Sequence, residues 1–415
     1  MSAKVFPINT ATACRLKWAW STLYLNSGTT ASCHRSSLST LDTDNFENFH
    51  NTDKKISARQ LMLQSQWPAD GCEYCKDIEQ SGGISDRLFQ NKIPNVYPSE
   101  LDTNPAQVVI NPSIVEVFFS NTCNLKCVYC KASLSSAIQA EELAFGTGVL
   151  ANLIPEENNK YKELIPKFWS WFETNHASLQ RLQILGGEPL LQKDLFKLLD
   201  FFENNPCPAL ELNIVTNLSV PTHVLQKASE QMARLLITRK VKRVDIQASI
   251  DCWGPAQEYV RHGLSLDLFE RNLKSLIGMK IFRIGLLSTI CSLTIPEMHA
   301  LVHKHKEWCQ SQEIFWYMHL VLPVSDSVLS PNIFDSDYLV QQLDNVYNLL
   351  PSNSWDQQQT KEVLLGIMKQ IEATKVKDSV KQQELIKYLD EIDRRRSLDW
   401  RQCFPWLPTE VERVV

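Results

Sequence analysis

The sequence predicts an α/β protein built from parallel βαβ units, as an open sheet or a partial barrel, with a small cysteine-rich domain before it and helices after it. Three observations carry this. Six short apolar runs rich in β-branched residues alternate with segments of helical period between residues 114 and 322. The first hundred residues hold short elements and paired cysteines in place of that pattern. Beyond Pro323 only helical periodicity remains.

Composition bounds the partners. At 415 residues the chain has room for two or three domains, and 44% hydrophobic with 21% charged residues is ordinary for a protein with a sizeable core. Forty-two basic against forty-seven acidic residues give a net charge of -5, which gathers no polyanion, and Arg394-Arg395-Arg396 is too short to change this. Nucleic acid is therefore not expected as a partner. The segment Met1 to Thr10 has one lysine and no long apolar run, and no stretch reaches membrane-spanning length. These features suggest a cytoplasmic protein without a membrane partner. In that compartment thiols stay reduced, so twelve cysteines point to metal ligation or chemistry before disulfides.

Taken in order, Trp18 to Leu25 alternates as a strand, Asn26-Ser27-Gly28 signals a turn, and Thr29 to Cys33 returns as a hairpin flanked by Cys14 and Cys33. A helix around Ser57 to Gln66 is broken by Trp67 to Gly71, which delivers Cys72-Glu73-Tyr74-Cys75 on a turn. Two residues between cysteines let both sulfurs face one ion, so two pairs can close one site. The spacing accommodates zinc and an iron-sulfur cluster equally. A redox CxxC is disfavoured because no βαβ pattern surrounds it. Asp102 to Pro112 reads as a linker, dividing the chain into residues 1–104, 112–325 and 326–415.

The apolar runs are Ile114 to Phe119, Leu182 to Leu185, Leu210 to Val215, Val244 to Ile250, Ile284 to Ile290 and Trp316 to Leu322. Helical segments include Gln192 to Asn204, Val224 to Leu236 and Leu266 to Met279, and a long helical insert spans Glu141 to Ser178. In parallel α/β folds ligands sit at the carboxyl ends of strands. Just past the first strand lies Cys123-Asn124-Leu125-Lys126-Cys127-Val128-Tyr129-Cys130. Three thiolates from one loop leave one iron of a cubane without a protein ligand, free to chelate a small molecule. The same offsets also place three cysteines on one helical face, as packing residues. Later strand ends carry Gly186-Gly187-Glu188-Pro189, Thr216-Asn217, and Ser249 with Asp251, followed by Arg261. Singly these read as a tight turn, a helix cap and an ion pair. Together they fall at one mouth of the expected fold.

With those residues in place, Cys123, Cys127 and Cys130 resemble the CxxxCxxC loop of the radical S-adenosylmethionine superfamily, with Tyr129 at its usual aromatic place. Cys72 and Cys75, followed by Gly83, Ser85 and Arg87, resemble the twitch, or half-SPASM, module when joined to Cys14, Trp18, Gly28 and Cys33. In this chain that module precedes the core, as in the group of the superfamily with an amino-terminal twitch domain. The likeness covers residues 14 to 325.

The resemblance implies a partial (β/α)6 TIM-like barrel in which Cys123, Cys127 and Cys130 hold a 4Fe-4S cluster whose fourth iron chelates S-adenosylmethionine. It implies that Gly186, Gly187 and Glu188 receive the methionine amino group, and that Thr216 and Asn217 lie near the ribose. Ser249, Asp251 and Arg261 are implied for the ribose and the methionine carboxylate, Arg261 because its planar fork suits a carboxylate. The backbone near Tyr129 meets adenine. Cys14, Cys33, Cys72 and Cys75 are implied to hold a second 4Fe-4S cluster, with His34 a further ligand or a bystander. A reductant such as flavodoxin or ferredoxin is implied as a partner.

Helical periodicity recurs over Asp335 to Leu350, Ser352 to Ala373 and Ser379 to Arg396, which are placed to cover the open side of a barrel. Cys403, in an aromatic terminal segment, is either a packing residue or a hydrogen-atom donor of the kind used by peptide epimerases of this superfamily. Many relatives with such modules modify peptides, so the expected reaction is radical modification of a peptide or protein. The alternatives are action on a small metabolite and a non-catalytic iron-sulfur or zinc protein.

Overall fold

The computed structural model describes residues 5–80, 85–93, 96–146, 159–320, 327–335 and 337–412. Gly83, the last two residues of the Trp316 to Leu322 run, Pro323 and residues 147–158 of the long insert lie outside them. Along the chain the strands are β1 (Trp20–Tyr24), β2 (Thr29–Ala31), β3 (Ser39–Thr40), β4 (Ile114–Phe118), β5 (Lys126–Cys127), β6 (Arg181–Leu185), β7 (Cys207–Thr216), β8 (Val241–Ser249), β9 (Arg261–His262), β10 (Arg283–Ile290) and β11 (Ile314–Leu320). The protein is mixed α/β with mostly parallel strand pairing.

The chain forms two compact units. The first comprises residues 1–121, 154–214 and 234–244. Its strands run in the order β3-β2-β1-β4-β6-β7, with the hairpin antiparallel and β1, β4, β6 and β7 parallel. The amino-terminal hairpin thus extends the same sheet as the first βαβ strands. One face of β4 and β6 presents Val115, Val117, Leu182 and Ile184, all fully buried. Phe168 of helix Tyr161–Asn175 meets Phe119 at a ring separation of 5.2 Å and stacks on Phe172 of the same helix. A second apolar cluster joins Phe6, Trp18, Met62, Tyr97 and Leu101 to Cys14 and Cys72.

Two local expectations change. Trp18 lies in a short helix, Arg15–Ala19, and the strand starts at Trp20. Alternation alone does not separate a strand from a buried helical turn when every residue is covered, as all five here are. Cys72 sits in a turn as expected, but Cys75 lies inside helix Glu73–Gln80, whose Tyr74, Cys75 and Ile78 fall at helical spacing.

The second unit comprises residues 122–153, 215–233 and 245–415. Here β10 pairs in parallel with Asp245–Ser249 of β8 and with β11, while β5 and β9 form a two-residue antiparallel ladder. Helices Leu266–Met279, Met298–Cys309, Tyr338–Leu349, Trp355–Thr374 and Ser379–Arg396 belong to this unit. Their buried stripes, such as Leu385, Tyr388, Leu389 and Ile392, recur at helical spacing. Among the described residues no helix is long and apolar enough to cross a membrane.

Candidate functional site

The segment Cys123 to Cys130 is a loop whose backbone is held from all sides. Ser136 Oγ donates to the carbonyl of Cys123 and accepts from its N–H at 3.0 Å. Ser135 Oγ donates to Leu125 O at 2.7 Å, Arg396 Nη1 to Lys126 O at 2.8 Å, the Cys130 N–H to Cys127 O at 3.0 Å, and the Tyr388 hydroxyl to Val128 O at 2.5 Å. The Val128 N–H donates to Val260 O, and Cys127 pairs with Arg261 across the β5-β9 ladder. Gly263, at φ +100°, follows that ladder. A Cβ there would stand 3.1 Å from Asn124 O, so glycine lets β9 approach the loop. Leu125 and Val128 are buried, whereas the three cysteines are only half-buried. The segment is a loop with its apolar residues inside, and it is not the helical face that the spacing also allowed.

Three of the strand-end residues meet this loop. Asn217 Nδ2 donates to Asn124 Oδ1 at 3.0 Å, and Asn217 Oδ1 accepts from the Ser219 N–H at 2.8 Å. Asn124 Nδ2 in turn donates to Ser219 O at 2.8 Å, clasping a turn in which Leu218 takes a left-handed φ of 51°. The Thr216 hydroxyl accepts from the Leu218 N–H in the same turn. Asp251 is fully buried and lies two residues beyond β8. It receives the Tyr129 hydroxyl at 2.6 Å, the Thr289 N–H at 2.8 Å and both arms of the Arg261 fork, at 2.8 and 2.9 Å. Both arms of the Arg261 fork are thus engaged by Asp251 in this structure. Ser249 is buried at the end of β8, paired in register with Leu287. Burial would lower the Arg261 pKa, but Asp251 and the Cys127 and Tyr129 groups hold it above the usual arginine value. The Arg261 charge in turn opposes the rise that burial imposes on the Cys127 thiol.

In the first unit, Gly186 and Gly187 both take positive φ, at 83° and 56°. A Cβ on Gly186 would meet the Cα and Cβ of Phe118 at 3.0 and 2.9 Å, so this position admits only glycine. Glu188 is fully buried and its Oε1 accepts from the Leu190 N–H at 3.1 Å, capping the turn that starts at Pro189.

The four upstream cysteines also lie in the first unit, on three segments far apart in sequence. Gly71, at φ +70°, brings the Cys72 segment against the Cys33 loop, where a Cβ would stand 1.8 Å from the carbonyl oxygen of Arg35. Ser36 Oγ accepts from the Cys33 N–H and donates to its carbonyl. The Lys17 ammonium is buried between Asp70 Oδ2 at 2.6 Å and Ser32 Oγ at 3.0 Å, linking the Cys14 helix to both other segments. Arg87 pairs with Glu79 on the Cys75 helix and donates to Ala13 O at 2.8 Å. The thiols feel one another: burial first, then the charge of Cys33, pushes Cys14 up to about 12, and Cys72 rises to about 12 with Cys33 and Cys75 among the causes. His34 turns away to Glu116, with Nδ1 at 3.8 Å from Oε1, and packs edge-on to Trp20.

Among the described residues no three His, Cys, Asp or Glu side chains stand as a ready single-ion site. Both sets consist of thiols throughout, which is the donor chemistry of iron-sulfur clusters. Burial, followed by the charge of Cys127 and then Cys123, pushes the Cys130 thiol up to about 12. Sequence reasoning missed the carboxyl-terminal residues that hold the loop, Tyr388 and Arg396, together with Glu141, which pairs with Arg396 at 2.9 Å and with Lys126 at 3.1 Å. The arginine run in the last turn of helix Ser379–Arg396 was the available signal. Cys403 is half-buried in helix Trp400–Cys403, and burial raises its pKa, helped by the charges of Glu297 and Asp393.

No family model matches the chain, and no curated protein matches it. Among solved structures it is similar to Streptococcus suis SuiB bound to S-adenosylmethionine, at 15% identity and a TM-score of 0.40, over 73% of this chain and 65% of that one. A second structure of Streptococcus suis SuiB matches at 14% identity and a TM-score of 0.38, over 79% of this chain and 68% of that one. Likenesses this distant fix neither fold nor activity.

Proposed function

We propose that the protein is a radical S-adenosylmethionine enzyme that acts on a peptide or protein. The observation that carries this reading is the Cys123 to Cys130 loop, with its carbonyls claimed internally and its thiols left half-buried. Cys123, Cys127 and Cys130 would hold a 4Fe-4S cluster. When bound, the cluster and S-adenosylmethionine supply one-electron cleavage to methionine and a 5'-deoxyadenosyl radical, which takes a hydrogen atom from substrate. The protein residues hold and orient. Asn217 fixes the loop through Asn124, and Asp251 fixes Tyr129, whose backbone is assigned to adenine. Asp251 and Arg261 are assigned to the ribose and the methionine carboxylate, with Arg261 also setting a positive charge beside Cys127. Thr216 and Ser249 are assigned to the ribose, and Gly186, Gly187 and Glu188 to the methionine amino group. Six parallel strands, β4, β6, β7, β8, β10 and β11, would form the partial (β/α)6 barrel, and the radical is quenched unless such a wall excludes water.

Cys14, Cys33, Cys72 and Cys75 are assigned to a second 4Fe-4S cluster, and a flavodoxin- or ferredoxin-like protein in the cytoplasm to the electron supply. The test is anaerobic reconstitution followed by S-adenosylmethionine and dithionite, with 5'-deoxyadenosine measured by mass spectrometry. Its absence from protein with filled clusters overturns the proposal. About eight irons per chain are expected. Cys72→Ala with Cys75→Ala should lose about half of them and leave the first cluster's spectrum in place. Zinc in the wild-type protein in place of the second set of iron would disprove the second assignment alone.

A further inference from the structure

A row of polar side chains crosses four parallel strands of the first unit at one level. In register across the sheet stand Thr22, Glu116, Gln183 and Asn213. They are joined edge to edge: Thr22 Oγ1 donates to Glu116 Oε1 at 2.9 Å, Gln183 Nε2 donates to Glu116 Oε2 at 2.9 Å, and Asn213 Nδ2 donates to Gln183 Oε1 at 3.3 Å. The direction of these bonds follows from the ends. The Trp20 indole N–H can only donate, and it occupies Thr22 Oγ1 at 3.0 Å, so the threonine proton goes to the carboxylate. A carboxylate only accepts, so Gln183 must turn its NH₂ toward Glu116 and its oxygen toward Asn213. Asn213 then answers with its own NH₂. Its oxygen is left over at the far end of the row, buried, with no partner among the described residues. Asn213 is 6% exposed and Glu116 fully buried.

Within the row Thr22, Glu116 and Asn213 are buried, and Gln183 alone is half-buried. On the opposite face Leu182 and Ile184 are fully covered, whereas Arg181, Gln183 and Leu185 on this face are all only half-buried. The row lies between an ion cluster at the amino ends of the strands, where Arg181 and Arg243 hold Glu211, and the aromatic pair Tyr24 and Phe118 at the carboxyl ends. Beside the neutral donors Thr22 and Gln183, the Glu116 carboxylate has His34 Nδ1 at 3.8 Å, and the row lacks a donor at its Asn213 end. Leaving a buried acceptor unmade costs more than an average hydrogen bond returns.

We propose that the Thr22, Glu116, Gln183 and Asn213 row is a ligand site for an N–H donor group, carried by an amide or by an ammonium. It rests on the proposed function only in naming that ligand as substrate. The test uses the full chain, purified anaerobically and without S-adenosylmethionine, so its outcome is separate from radical chemistry. Saturation-transfer NMR titrations of N-methylacetamide and of methylammonium report the two chemistries. At least one probe should bind, and Asn213→Leu, which removes the acceptor in an apolar side chain of similar volume, should weaken it about tenfold at unchanged thermal midpoint. Asn213→Asp keeps the acceptor and adds charge, and should shift preference toward methylammonium about tenfold, which carries the test if the leucine variant does not fold. No binding of either probe to the wild type, equal binding to Asn213→Leu, or an unmoved preference in Asn213→Asp would overturn the proposal.

Discussion

The two cysteine sites solve opposite problems. In the Cys123 to Cys130 loop the ligands are already neighbours in sequence, and the rest of the second unit only has to fix the backbone. It does so with side chains that reach single carbonyls: Ser135, Arg396 and Tyr388. Upstream, Cys14, Cys33 and the Cys72 pair come from three segments, and the fold must bring the ligands together before any metal can bind. Buried charge and one glycine do this, through Lys17 with Asp70, Arg87 with Glu79, and Gly71 against Arg35. A locally encoded site should lose its supports one at a time and keep its ligands. A distributed site should fail as a whole when one strut goes.

The strongest way to break that contrast is Lys17→Met. Lys17 and Asp70 are 1% and 5% exposed, and removing one partner of a buried pair leaves the other charge without compensation. Lys54 at 3.1 Å from Asp70 Oδ1 offsets part of this, so we expect a loss of roughly 3 kcal/mol in denaturant unfolding. All metal of the upstream site should go with it, while metal bound by Cys123, Cys127 and Cys130 stays. Retention of both metal sets at an unchanged unfolding midpoint would show that Lys17 is not a strut.

Next in size is Gly71→Ala. The left-handed φ and a Cβ at 1.8 Å from a backbone oxygen force the Cys72 turn away from the Cys33 loop. Roughly 2 to 4 kcal/mol of destabilisation is expected, with loss of the upstream metal measured by elemental analysis. An alanine variant that binds metal normally would mean the two segments need not touch.

These features also mark where the sequence could be read. The parallel strands within each unit were legible because each is an apolar run with flanking helical period, and β4, β6, β7, β8 and β10 lie where those runs place them. The loop stood out because its three cysteines are local. Its supports were not: Tyr388 lies 260 residues from Val128, and a buried stripe on a helix says which face is covered but not by what. The β5-β9 ladder has two residues per strand, too few for any period to register. The pairing of Arg261 with Asp251 was weighed as an ion pair, and geometry gives that ordinary meaning a place beside Cys127.

For the loop, Tyr388→Phe should cost about 1 kcal/mol, since it removes one hydrogen bond and leaves the Val128 carbonyl buried without a partner. Iron at the loop should stay full, while the electron paramagnetic resonance signal of the reduced cluster broadens as the frame loosens. Complete loss of that iron would mean the loop depends on its supports as the upstream site does, and the contrast would fall.

The smallest effect is one of pH. Glu141 is pinched between Arg396 and Lys126, with His262 nearby. Burial would raise its pKa, but the two cations outweigh it and hold the carboxyl below its ordinary 4.5. A carboxylate whose folded pKa is depressed contributes stability above its unfolded pKa and loses it as pH falls through the folded value. Glu141→Gln loses this contribution, and it also loses the Glu141 charge that partly offsets the lowering of the His262 pKa by burial. The wild type should therefore exceed Glu141→Gln in thermal midpoint at neutral pH, by a margin that grows slightly as His262 titrates and then closes below about pH 4.5. A margin that stays open below that pH would mean that Glu141 is not held ionised by Arg396 and Lys126.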